Sequence, residues 1–400
     1  MQILTICCLI TFLWLVFGYS LAFAPVQYHG HVNEVYGNGD RVWFYDMTLT
    51  TAHMIAPTIP EALFSAFQLA FAISTAGIIC GSFADRMKYH SMIIFITLWH
   101  IIVYCPIAHS NIHPQGWLYQ LGVLDYAGGN TVHICSGVSG LATVLVIGNR
   151  KGFGKERFEP HNILVTFIGM SMLWVGWYGF NAGSAYGANQ NACYALLATQ
   201  IATSVSALMW MFTEWIVRKQ PSTLGMINGA LAGLVCITPA AGYVDMTGAF
   251  FIGFVGGPLC YFGAHLKYHF GFDDALDAFG VNAIGGIVGG LATGFFATDK
   301  VAVPFMYGDR AGLAINGVFY GNFGSGCYQL GIQIVGIIFT IGWSFSFSYV
   351  ILQIIDNTIG LRVCRGAEEL GLDYSIHSES NIGQTGYFDF KLASLINDQV

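Results

Sequence analysis

Long apolar runs, separated by short polar or glycine-rich intervals, follow one another along nearly the whole chain. Ten of them have the roughly 17 to 25 residues needed for a helix to cross a ~30 Å hydrocarbon core. They predict spans at 2–24, 62–83, 91–109, 128–148, 162–182, 193–217, 224–241, 247–266, 278–297 and 331–355. The pattern therefore predicts an all-α protein, a polytopic membrane helix bundle of about ten transmembrane helices. From Asp356 onward the chain turns polar, which divides it into a membrane domain at 1–355 and a tail at 356–400.

The first run has two readings. Ala22-Phe23-Ala24 resembles a signal-peptidase site, but the segment lacks a basic start and is long enough to span, so a retained helix is expected. Orientation follows from Lys and Arg, which cytoplasmic loops retain. Twelve of the fifteen fall in alternate loops and the tail, and only Arg41, Lys300 and Arg310 lie on the other side. This asymmetry predicts a multi-pass protein of the cell membrane with a cytoplasmic C-terminus.

Composition narrows the function classes. Only 9% of residues are charged against 55% hydrophobic, too few to cover a soluble protein of 400 residues. A nucleic-acid binder would need a basic face, and the formal charge is -7. The ten cysteines form no CxxC pair and no metal-ligand spacing, so they read as small apolar fillers. No phosphate loop or nucleophile elbow appears, and neither an enzyme nor a bound cofactor is expected. Runs such as GMINGALAGL and NAIGGIVGGLATG place small residues three and four apart, which lets helix backbones approach closely in lipid.

Polar groups within such spans are costly and mark candidate functional sites. His133 in TVHICSG is read as the one histidine deep in a span, and Asn228 and Asn282 lie within two others. Asp125 precedes the His133 span, where a carboxylate caps first-turn amides and offers a field to incoming cations. Phe67 and Phe71 lie one helical turn apart around Gln68, and Phe180 precedes Ser184 in WYGFNAGS. Aromatic rings at this spacing are usually packing or lipid-facing residues, but ring faces also attract desolvated cations.

Taken together, these segments resemble the ammonium transporter family (Amt/Mep/Rh), in its Amt/Mep branch. The likeness rests on DYAGGNTVHICSGVSGLATVLVIGNR at 125–150, GWYGFNAGSA at 176–185, GALAGLVCITPAAGY at 229–243, DDALDAFGVNAIGGIVGG at 273–290 and GLRVCRGAEELGLD at 360–373, and it covers almost the whole chain. The resemblance implies the ammonium-transporter fold, a homotrimer in which each protomer has its own narrow apolar pore, and ammonium or ammonia as the species carried. It implies Ser184 as the vestibule hydroxyl, Phe71 and Phe180 as stacked gate rings, and Phe67 and Gln68 as their neighbours. Trp177 matches a pore-wall tryptophan, Asp125 the structural outer aspartate and His133 the first of two pore histidines. In prokaryotes it also implies a cytoplasmic regulatory protein of the P-II type as a partner, contacting the tail.

The chain departs from the family pattern at four places. Asn282 stands where the second pore histidine is expected, Ile112 at the vestibule tryptophan and Asn228 at a pore serine, and the chain begins where the family's second span usually starts. Stripping water from an ammonium ion costs tens of kcal/mol on an ideal Born estimate, so the cation must shed a proton before neutral ammonia crosses an apolar pore. An imidazole pair can relay that proton, whereas Asn282 hydrogen-bonds but does not titrate. An altered proton relay, weaker discrimination among monovalent cations and, through Ile112, poorer capture of dilute ammonium are therefore expected. Two competing readings are a non-transporting ammonium sensor and a truncated, inactive relative.

Overall fold

The computed structural model describes residues 1–24, 34–156, 158, 160–302 and 316–379. Ten helices carry the bundle: α1 Gln2–Phe23, α2 Glu61–Ser82, α3 Tyr89–Leu121, α4 Gly129–Ile147, α5 Ile163–Gly183, α6 Gln190–Arg218, α7 Thr223–Ile237, α8 Met246–Phe270, α9 Phe279–Phe296 and α10 Phe323–Thr358. Nine of these are long and apolar enough to cross a membrane. Two short helices follow in the tail, α11 Arg365–Leu370 and α12 Leu372–His377.

Most span limits fall within a few residues of the sequence-predicted ones, and three differ for physical reasons. The seventh, expected over 224–241, is helical for only 15 residues. Pro239 has no amide to continue a helix, and the carbonyls of Thr238 and Pro239 accept the amides of Ala127 and Tyr126. The last span runs 36 residues rather than 25, with Asn322 capping its start at the amide of Ser325. The third extends to Leu121 through a turn at 113–116.

Two apolar clusters organise the described residues. One joins α1, α2 and α3 to parts of α4 and α10 around Trp14, Phe64, Trp99 and Leu352, and the other joins α5 to α9 around Trp177, Trp210, Val235 and Ile252. The first run is part of the bundle. The Trp14 indole donates to the Ser65 carbonyl at 3.2 Å, and the Tyr19 hydroxyl donates to Glu61 at 3.0 Å. By contrast α5 leaves Leu164, Val165, Phe167, Ile168 and Met172 exposed, as an apolar solvent allows.

Small residues bring α4 and α9 together where the clusters meet. A Cβ on Gly286 would stand 2.9 Å from the Gly129 carbonyl and 3.2 Å from the His133 Cβ, so only glycine permits this approach.

The tail is not simply polar, as its sequence suggested. Residues 360–379 dock on the loops that follow α2 and α4. The backbones of Met87 and Arg362 pair, and the Arg362 guanidinium bonds Glu368 and the carbonyls of Ile147 and Asn149. The rest of the predicted tail, 380–400, lies outside the described residues, as do Arg157, Arg310 and Lys391 among the residues used for orientation.

Candidate functional site

The site begins at a cavity of about 100 Å³ lined by Asp125, Ser184, Tyr186, Ile112, Tyr126 and Asn111 among others. Asp125 holds the start of α4. Its Oδ2 accepts the amides of Asn130 and Thr131, each at 3.1 Å, and the Thr131 hydroxyl at 3.2 Å. Its Oδ1 has no hydrogen-bond partner among the described residues. Burial raises this carboxyl above its ordinary value, and the amides of Thr131 and Asn130 offset part of that rise. Asp125 thus caps the first turn of α4 through Oδ2 and also lines the cavity.

Ser184 ends α5, and its hydroxyl donates to the Phe180 carbonyl at 3.1 Å, so its lone pairs stay available to a donor in the cavity. Beneath it Phe71 on α2 and Phe180 on α5 stack with centroids 4.2 Å apart and planes 13° from parallel. Phe67 meets Phe71 edge-on at 4.9 Å. Gln68, buried beside them, donates from Nε2 to the Tyr186 hydroxyl at 3.2 Å and leaves Oε1 without a partner among the described residues.

Below the rings, His133 lies flat against Trp177 with centroids 5.3 Å apart and planes at 9°. The Trp177 indole is fixed by Thr238 Oγ1 at 3.0 Å. His133 Nδ1 lies 3.1 Å from Asn282 Oδ1. For this to be a hydrogen bond Nδ1 carries the proton, which leaves a lone pair on Nε2, an atom with no partner among the described residues.

Local backbone explains the placement of both groups. His133 lies on a π-helical segment, Gly129–Ile134, and Asn282 on another, Phe279–Ala283. Such segments are a recurrent way of re-aiming side chains at functional sites. The first begins at Gly128, whose φ of 101° suits glycine, and the His133 amide reaches back to the Gly128 carbonyl.

The ring, histidine and serine positions picked out from the sequence therefore touch one another in one column. Asn228 on α7 lines a second cavity, of about 470 Å³, together with Arg150, Arg218 and Lys267. The reading of His133 as the one deep histidine needs correction. His100 and His109 are also buried within the helical part of α3, and His53 and His113 are buried in a loop and a turn. Their rings pack against aromatic neighbours and one another, His109 on His113 at 4.5 Å and His100 on Tyr104 at 5.4 Å, so hydropathy alone could not separate them from a pore residue. Sequence reasoning also missed Tyr186, Asn111 and Thr238. Tyr186 lies two residues beyond Ser184, the one signal that pointed to it.

A family model described as Ammonium Transporter Family matches residues 1–382. The chain belongs to this family. It is 41% identical over 372 residues to an ammonium transporter of Bacillus subtilis (strain 168), covering 93% of this chain and 86% of that one. An ammonium transporter of Aquifex aeolicus (strain VF5) is 40% identical over 372 residues, covering 92% and 81%. Among solved structures, Saccharomyces cerevisiae Mep2 superposes with a TM-score of 0.82 at 32% identity, over 96% of this chain and 84% of that one. These matches bear out the Amt/Mep resemblance and the all-helical membrane fold, place the chain among transporters rather than enzymes, and do not favour the sensor reading.

Proposed function

We propose that this chain takes up ammonium at the Ser184 cavity and passes it as ammonia between Phe71 and Phe180 and along His133 and Asn282. The observation that carries this reading is the single column formed by the cavity, the stacked rings and the unpartnered His133 Nε2. Hydroxyl, carboxylate and ring faces suit the cation outside. The rings exclude its water, and the His133 Nε2 lone pair offers a hydrogen-bond acceptor to a neutral guest where a bare cation would be unsolvated. The names of the relatives support ammonium as the cargo.

Around this core the protein works as a homotrimer in the cell membrane with its tail in the cytoplasm, where a regulatory protein meets residues 356–400. The basic residues of the loops near the docked tail support that orientation. The transport reading is tested by growth of a transport-deficient cell on limiting ammonium, together with labelled methylammonium uptake into proteoliposomes. Rescue and saturable uptake are expected. Correct membrane insertion without either would overturn it.

A further inference from the structure

The wall of the outer cavity contains an aromatic residue that neither the sequence reading nor the family resemblance assigned. Ile112 supplies only an aliphatic side chain there, whereas Tyr186 lines the same cavity and meets Phe67, the neighbour of Phe71. The Tyr186 ring meets Phe67 at 6.1 Å, nearly perpendicular at 88°, and Phe64 at 5.4 Å and 67°. Its hydroxyl oxygen accepts the Gln68 Nε2 hydrogen at 3.2 Å, which fixes the ring and leaves a further lone pair. Beside it, Gln68 Oε1 is a buried acceptor without a partner among the described residues.

The backbone holds Tyr186 in place at a cost. Its φ is 51°, the left-handed region that a bulky residue rarely adopts. Its amide donates to the Gly183 carbonyl at 2.9 Å, and its carbonyl accepts the Thr58 hydroxyl at 2.8 Å. Strain maintained by its surroundings is often found at functional positions.

We propose that Tyr186, held by Gln68, is a substrate-recognition residue of the outer cavity. Its ring presents a face to an ammonium ion in the cavity and its hydroxyl accepts one of that ion's N–H groups, while Gln68 acts by fixing the ring. This inference rests on the reading of the Ser184 cavity as the place where ammonium is taken up.

The test measures KM and maximal rate for ammonium in proteoliposomes of the full chain, for Tyr186→Leu, Tyr186→Phe, Tyr186→Trp and the reference variant Ser184→Ala. Loss of a cation–π face predicts a KM about 3- to 10-fold higher in Tyr186→Leu, with a smaller change in maximal rate. Tyr186→Trp restores most of the affinity, and Tyr186→Phe lies between wild type and Leu. An unchanged KM in Tyr186→Leu while Ser184→Ala weakens capture overturns the inference and leaves the cavity reading standing. Tyr186→Trp as weak as Leu reduces the residue to packing and also overturns it. If neither Ser184→Ala nor Tyr186→Leu shifts KM, the cavity reading falls with it. Should Leu fail to insert, Tyr186→Phe decides, and a wild-type KM there overturns the acceptor role.

Discussion

The column from Ser184 to Asn282 and the arginine face beneath α2, α4 and α8 both bury polar groups, but they treat them in opposite ways. At the arginine face Asp273 Oδ2 accepts the amide and Nε of Arg150, each at 2.8 Å, and Oδ1 accepts its Nη2 at 2.8 Å. Arg86, fully buried, lies 3.8 Å from the same carboxylate and donates to the carbonyls of Gly148 and Asp273. In the column Asp125 Oδ1, Gln68 Oε1 and His133 Nε2 keep unused capacity. A group whose bonds are all internal holds helices together; one with an open bond beside a path can serve a guest. His100 shows why both conditions matter, because its Nδ1 is also unpartnered but its ring is packed against Tyr104 and Trp14.

The sharpest way to break this comparison is at the frame. Asp273→Ala would leave Arg86 and Arg150 without their shared anion, and removing one partner of a buried pair costs about 3–5 kcal/mol. Thermal unfolding in detergent should shift markedly downward. An unchanged melting temperature would mean that the arginine face is not what holds these loops.

The neighbouring carboxylate gives a pH signature of opposite sense. Burial alone would raise Asp273, but hydrogen bonds from Arg150 and the charges of Arg86 and Arg150 hold it below its ordinary value. Burial first, and Asp277 second, push Asp274 up to about 6. Because that folded value lies above the unfolded one, the contribution of Asp274 to stability is complete below about pH 4 and is lost as pH rises through about 6. Asp274→Asn should therefore gain stability over wild type by roughly 3 kcal/mol near pH 7.5, and the gain should vanish near pH 4. Melting curves across that range measure it, and a pH-independent difference would contradict the assignment.

On the path itself, His133→Leu should lower transport about ten- to a hundredfold, the scale of one lost polar interaction of 1–3 kcal/mol in a dry site, while the fold survives. His100→Leu should do the reverse, leaving transport intact and stability equal or higher, since an unpartnered buried polar atom is removed. Labelled uptake alongside melting curves separates the two. Equal transport losses would show that burial, not position on the column, decides.

Much of this contrast was legible in the chain itself, though unevenly. Apolar run lengths located the ten helices, since a ~30 Å core sets one length scale for every span. Asp125 was legible as a cap because its position before an apolar run carries the chemistry. The arginine face was not, since Arg86, Arg150, Asp273 and Arg362 lie on four separate segments and meet only through tertiary packing. His133 and His100 could not be told apart by hydropathy, since each lies well inside a predicted span. What separates them is the neighbouring column, and no one-dimensional pattern contains it. Tyr186 was hidden in the same way, between a recognised serine and a turn whose left-handed backbone gave no sequence signal beyond the adjacent glycines.

The finest test of the column concerns the proton rather than ammonia. With Nδ1 bonded to Asn282 Oδ1 at 3.1 Å, His133 faces an amide that can orient it but cannot take a proton from it. Asn282→His would place a second titratable ring beside the first and open a route for the proton shed at the cavity. The charge moved per labelled ammonium should then rise, and discrimination against other monovalent cations should tighten, with the bundle otherwise unchanged. The comparison is made in paired current and uptake measurements on the same proteoliposomes. Identical ratios in the two proteins would mean that the proton does not travel along the His133–Asn282 line, and that this amide serves only to hold the imidazole with its free nitrogen toward the path.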